Sequence, residues 1–195
     1  MRRWLWLTGW LLMSLARADV AADITTLTGR YPDFPSRHLL VVDISEQTLS
    51  WFEAGKLKRR YPVSTSKYGV GSRAGSNRTP LGMHYVRRKI GAGAPAGTIF
   101  RGRVDTGRVA RIETRPLATG DDFVTSRILW LKGLDPGRNR GDGVDSYARY
   151  IYIHGTHEEG LIGRPASHGC IRMRNADVIE LFDGVPPRTL VWIQR

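Results

Sequence analysis

The sequence predicts a mainly β domain with one short helix near its carboxyl end, and three observations carry that prediction. Short runs of β-branched and aromatic residues recur between Gly-, Pro- and Ser-containing turns. Twenty-two glycines in 195 residues point to a loop-rich body. Only the segment 175–182 combines helix-forming residues with a start and a stop signal. At 41% hydrophobic residues the chain has enough apolar content for one core, and neither an internal repeat nor a second domain is visible.

The elements follow in chain order. Arg2 and Arg3 precede an apolar run from Trp4 to Leu15, and Ala16-Arg17-Ala18 has the small-x-small pattern of a cleavage site. A signal peptide is therefore expected over 1–18, since a membrane-spanning helix needs roughly 20 apolar residues. Residues 19–37 carry Pro32 and Pro35 without periodicity and read as a leader, which leaves 38–195 as the domain. Strands are expected at His38–Ile44, Thr48–Phe52 and Leu57–Thr65, joined by short polar turns as an antiparallel meander. Gly69 and Gly71 suggest a phosphate loop, but the Pro80 region that follows offers no helix to aim at an anion.

Further strands are expected through His84–Arg87, at Thr98–Val104 and at Arg127–Lys132, with a Gly- and Arg-rich loop over 135–145. Tyr150 to His154 alternates aromatic and β-branched residues, which suits a strand ending at His154. The helix is expected from Asn175, a good N-cap, to Phe182, with Asp177 at its positive end and Gly184, Pro186 and Pro187 beyond it. Residues 188–194 close the chain as a strand.

Composition narrows the chemistry. Thirty basic residues against 18 acidic ones give a net charge of +12, which falls to +9 once Arg2, Arg3 and Arg17 leave with the signal peptide. An exported basic protein is expected to meet anionic wall polymer or lipid headgroups, not nucleic acid. A solvated basic surface explains the same charge. The single cysteine, Cys170, excludes an internal disulfide framework, thiol-rich zinc ribbons and iron–sulfur cages. In an oxidising compartment Cys170 is then a buried inert residue, an intermolecular bridge or a reactive thiol.

Its neighbours favour reactivity. A thiol attacks as thiolate, so it needs an imidazole or a positive charge at hand. His168 stands two residues before Cys170, Arg172 two after, and the helix begins five residues on. Gly169 leaves room for a backbone amide to approach a reacting carbonyl, and His154 is placed to act as a fixed base if the intervening loop folds back. The same four side chains, His154, His157, His168 and Cys170, are acceptable zinc ligands, with Glu158 and Glu159 nearby. The one-residue gap between His168 and Cys170 is unlike chelating pairs, so no metal is assigned. His157 and His84 read as surface or satisfied residues, His38 has no assigned chemistry, and Arg172 and Arg174 are equally readable as solvated charges.

His154-Gly155-Thr156, then Ser167-His168-Gly169-Cys170-Ile171-Arg172-Met173 and Asn175, resembles the signature of the L,D-transpeptidase family with its YkuD-type catalytic domain. Thr79-Pro80-Leu81-Gly82 is similar to that family's upstream Thr-Pro-x-Gly. The resemblance implies a bent β-sandwich or barrel-like domain. It implies Cys170 as acylated nucleophile, His154 as general base or acid, Gly155 orienting His154 through its carbonyl, and His168 assisting. The amides of Gly169 and Cys170 would form the oxyanion hole, and Arg172 and Ser167 would position the donor. No cofactor is implied.

The reaction implied is thioester acyl transfer from a peptidoglycan tetrapeptide stem. Diaminopimelate at position three is the acyl residue, D-alanine leaves, and an amine acceptor then forms a cross-link or anchors a lipoprotein. With the signal peptide, a monomeric protein exported to the periplasm or cell wall is expected. Carboxypeptidase action, hydrolysis of such cross-links and a non-catalytic wall-binding module are the alternatives the sequence leaves open.

Overall fold

A computed structural model describes residues 26–195. The expected signal peptide, and the leader as far as residue 25, lie outside the described residues. The opening meander forms as expected: β1 (His38–Asp43), β2 (Thr48–Glu53) and β3 (Lys56–Pro62) pair antiparallel in sequence order. β4 (Gly82–Ile90), β5 (Thr98–Arg101), β6 (Val104–Val109), β7 (Val124–Gly133), β8 (Tyr152–Gly155), β9 (Ile171–Met173) and β10 (Leu190–Gln194) complete one ten-stranded mixed sheet. Its order is β3-β2-β1-β10-β4-β7-β5-β6, with β8 on β7 and β9 on β8. The helix α1 spans Asn175–Gly184.

Period-two alternation explains how this sheet encloses its core. Leu40 and Val42 of β1, Leu49 and Trp51 of β2, and Val191 and Ile193 of β10 share one cluster with Leu129 and Leu131 of β7, Ile153, Ile171, and Val178, Leu181 and Phe182 of α1. Residues from distant parts of the sheet meet in that cluster, so the sheet bends around α1. The architecture is the mainly β one expected. Gly184 lets the end of α1 approach Trp51, because a Cβ there would stand 2.1 Å from the indole.

Four departures from the sequence reading have local causes. Thr98–Val104 is two strands, since Gly102 and Arg103 both take positive φ (55° and 71°) and turn β5 into β6. β9 is three residues long, below the reach of pattern reading, and pairs parallel to β8. The leader is partly built in: Leu27, Tyr31 and Phe34 pack on the outer sheet face against Leu39, Phe52, Met83, Tyr85 and Leu190. Asn175 is the first helical residue, not the N-cap. Extended Arg174 flanks the helix, and Glu159 accepts the Asn175 amide at 2.8 Å while the Asn175 side chain turns inward.

The 135–145 loop is anchored against the sheet. Asp135 accepts the Met83 amide at 2.9 Å, and Asn139 donates to the carbonyls of Leu81 and Met83 at 3.0 and 3.1 Å. Behind it His84 is fully buried, with Nδ1 donating to the Gly82 carbonyl (3.0 Å) and Nε2 accepting from the Ser146 hydroxyl (2.9 Å). Burial pushes His84 down to about 4. A histidine whose folded pKa lies below its unfolded value of about 6.5 contributes stability above pH 6.5 that is lost as pH falls toward 4. Between pH 7 and pH 5, His84 is expected to account for a loss of about 2 kcal/mol. Urea unfolding of wild type and His84→Gln at both pH values measures this: the variant is expected to be less stable at pH 7 but to lose correspondingly less on acidification.

Candidate active site

β8 and β9 run parallel with Ile153 beside Ile171 and His154 beside Arg172. The isoleucines face the core, so Tyr152, His154 and Arg172 project from the opposite face. Cys170, immediately before β9, packs there against the cluster of Phe100, Ile128, Trp130 and Tyr152. His154 and Cys170 are thus one two-residue step apart in register, and each side chain is hydrogen-bonded to backbone groups and not to the other.

His154 is 1% exposed, and its Nδ1 lies 2.7 Å from the Gly155 carbonyl. A carbonyl only accepts, so Nδ1 carries the proton and Nε2 keeps its lone pair. Burial pushes His154 down to about 4, although the charge of Asp122 opposes the shift. Gly155 is required by space: a Cβ would lie 2.7 Å from the Thr125 carbonyl and 2.8 Å from Asn175 Oδ1. Asn175 holds this region together. Its Oδ1 accepts from the hydroxyls of Thr125 and Ser126, both at 2.6 Å, and its Nδ2 donates to the Thr156 carbonyl and Glu159 Oε1.

The thiol is engaged by β8. The Tyr152 amide donates to Cys170 Sγ and the thiol donates to the Tyr150 carbonyl, each at 3.4 Å. Tyr150 adopts φ +57° in doing so, an unusual conformation for a bulky side chain. Burial pushes the Cys170 thiol up to about 12 against the positive charges of Arg172 and Arg149. The pair is therefore neutral at rest: a protonated thiol beside a neutral imidazole.

The turn before Cys170 is held by its own serine. Ser167 Oγ donates to the Cys170 carbonyl at 2.5 Å and accepts the Gly169 amide at 3.2 Å. Gly169 takes φ +122°, and its carbonyl accepts from Thr79 Oγ1 at 3.0 Å, which ties the Thr79–Gly82 motif to the turn. Ser167 is 1% exposed and shapes the loop, and the Gly169 amide is already bonded to it.

Arg172 departs most from expectation. It does grip carboxylates, but they belong to its own chain: Nη2 lies 2.6 Å from Asp122 and Nη1 2.9 Å from Glu158, with the side chain 2% exposed. Asp122 also accepts from His168 Nδ1 at 2.7 Å, while the His168 ring is exposed and lies 5.7 Å from Tyr68. Burial would raise Asp122, but the Arg172 charge and its hydrogen bonds hold it below the usual carboxylate range. Sequence reading missed Asp122, which lies fifty positions from Arg172 and belongs to no motif. Glu158 was noted only as a metal ligand.

The four suggested zinc ligands have separate partners. His154 turns to Gly155, His168 to Asp122 and Cys170 to Tyr150 and Tyr152. The Thr119 hydroxyl donates to Glu158, so His157 Nε2 donates to Thr119 at 2.7 Å. Among the described residues no cluster of three or more His, Cys, Asp or Glu side chains suits a metal ion. His38 is buried and accepts from the Trp51 indole at 3.1 Å.

The bent mixed sheet thus carries a thiol and a carbonyl-oriented neutral imidazole two residues apart in register on neighbouring segments. The model of the L,D-transpeptidase catalytic domain (YkuD) matches residues 37–193, and the chain belongs to that family. It is similar to Escherichia coli K12 YcfS, a protein named as an L,D-transpeptidase, with 29% identity over 161 residues, 82% of this chain and 44% of that protein. It shares 54% identity over 87 residues with Bacillus licheniformis YkuD, covering 42% of this chain and 53% of that one. The chain thus spans about half the length of these relatives. L,D-transpeptidase 3 of Mycobacterium tuberculosis, solved with a faropenem-derived adduct, shares the fold at TM-score 0.50 and 16% identity, over 82% of this chain and 60% of that one.

Internal and substrate-facing roles for Arg172 differ in what they predict. Removing one partner of a buried ion pair costs about 3–5 kcal/mol, since the other charge is left uncompensated. Arg172→Ala is therefore expected to lower unfolding free energy by that amount in urea titration. A residue that only gripped substrate would leave the midpoint unchanged.

Proposed function

We propose that the protein is an exported cysteine acyltransferase that acts on the stem peptides of peptidoglycan. The observation that carries this reading is the placement of Cys170 just before the strand that pairs with the strand of His154, two residues out of register from an imidazole whose Nδ1 is fixed on Gly155, leaving Nε2 unprotonated. Family membership supports it. So does the faropenem-derived adduct of the Mycobacterium tuberculosis relative, a β-lactam product at a protein of this fold. The apolar segment before Asp19 supports export to the periplasm or wall, where a basic monomer would meet anionic polymer.

The reaction begins from the neutral pair. As Sγ of Cys170 attacks the carbonyl of the third stem residue, Nε2 of His154 takes the thiol proton, and Asp122 stabilises the imidazolium formed. The Cys170 amide receives the oxyanion, and the Gly169 amide joins it as second donor only on leaving the Ser167 hydroxyl. The tetrahedral species collapses with breakage of the peptide bond; His154 returns the proton to the departing D-alanine amine, and a thioester remains on Cys170. An acceptor amine then attacks the thioester, passes a proton through His154 and regenerates the thiol. An amine from a second stem gives a cross-link, a lipoprotein lysine gives anchoring, and water gives carboxypeptidase action.

Incubation with disaccharide-tetrapeptide followed by intact-protein mass spectrometry tests the reading. Wild type is expected to gain an acyl mass on Cys170 and to yield a dimeric product; Cys170→Ala yields neither. His154→Ala is expected to slow acylation about 10²–10⁴-fold. An acyl adduct that persists on Cys170→Ala would sink the proposal. A second expectation comes from the resting protonation states. Iodoacetamide is expected to alkylate Cys170 of the free protein more slowly than free cysteine at pH 7, with a rate that rises through the alkaline range, because burial disfavours the thiolate.

A further inference from the structure

With Arg172 committed to Asp122 and Glu158, the site needs another cation if it is to hold a carboxylate of its substrate. Arg103 is the side chain placed to supply one. It occupies the β5–β6 turn, half-buried and with φ +71°. Its guanidinium carbon lies 4.8 Å from the Trp130 ring and 4.9 Å from the Tyr150 ring, and Nη1 donates to the Tyr152 hydroxyl at 3.4 Å. Trp130 is itself stacked on Tyr147 at 3.9 Å. The ion pairs found among the described residues do not include Arg103. Arg149, the other arginine near the thiol, donates to the carbonyls of Gly71 and Arg78.

Aromatic faces orient a guanidinium plane while leaving its edge donors available, and a carboxylate takes two of those donors side by side. One residue, Tyr152, spans the two groups, with its amide on Cys170 Sγ and its hydroxyl on Arg103. The carboxylate of a leaving terminal amino acid lies one residue, about 3.8 Å of chain, beyond the carbonyl under attack. The side-chain carboxylate of diaminopimelate lies several bonds farther from that carbonyl.

We propose that Arg103 recognises a free carboxylate of the donor peptide and, with Trp130 and Tyr150 as its platform, sets that carboxylate against the Cys170 thiol. The inference rests on the acyltransferase reading and adds the residue that selects the donor. It makes Arg103 a specificity determinant, while proton transfer stays with His154.

The test compares acylation rates of the full protein, read by intact mass, for three tetrapeptide donors: unmodified, amidated at the carboxyl terminus, and amidated on the side chain of the third residue. Wild type is expected to lose about 10- to 100-fold on one amidated donor, and that donor identifies the carboxylate read. Arg103→Gln is expected to lose the same factor on the unmodified donor and to treat it like the amidated one. Arg103→Lys is expected to recover part of the discrimination. Melting temperatures of both variants should match wild type, which separates recognition from packing. The inference is overturned if Arg103→Gln discriminates among the donors as wild type does, or if wild type is indifferent to both amides. Failure of wild type to acylate with any donor overturns the acyltransferase reading and this inference with it, whereas acylation without discrimination overturns this inference alone.

Discussion

Asn175 makes the contacts on which the position of the imidazole depends. One amide side chain satisfies the hydroxyls of Thr125 and Ser126 on β7, the Thr156 carbonyl after β8, and Glu159 at the short 3₁₀ turn. Ser126 sits at φ +61° in the β7 bulge, so Asn175 also fixes the irregular step of the strand against which β8 pairs. Gly155 fits between Thr125 and Asn175 only because it lacks a side chain. The Gly155 carbonyl that fixes the tautomer of His154 thus inherits its position from a residue twenty places further along the chain.

A second buried network works beside the first. Arg172 joins β9 to Glu158 after β8 and to Asp122 before β7, and Asp122 continues the chain of contacts to His168. Two carboxylates share the one guanidinium, which is what allows Arg172 to sit 2% exposed. The network also places the negative charge of Asp122 near enough to His154 to oppose the effect of burial on that imidazole. Framework and electrostatics are therefore supplied by the same atoms, and both Nη groups of Arg172 are engaged within the chain.

Much of the fold was legible because alternation is a local property. Tyr150 to His154 announced its two faces, and the structure puts Ile151 and Ile153 in the core with Tyr152 and His154 on the site face. The residues around the thiol were legible because Ser167 to Cys170 form one contiguous turn. Non-local pairings were not: β9 is too short to carry a pattern, and the parallel pairs β1–β10 and β8–β9 join distant segments. Arg172 shows the limit of reasoning from residue type. A guanidinium is a fork for carboxylates by residue type, but which carboxylates Arg172 meets depends on Asp122, a residue from a loop without a motif. The same holds for Asn175, recognised as a helix-start residue although its side chain serves the sheet.

The hydrogen bond from the Cys170 thiol to the Tyr150 carbonyl has a further consequence for durability. Peroxides and stray disulfides attack sulfur as thiolate, and sulfenic acid formation follows the thiolate fraction. A lone cysteine whose proton is kept by burial and a backbone acceptor exposes little of that form. The chain's one thiol is thereby kept protonated without a partner cysteine to protect it.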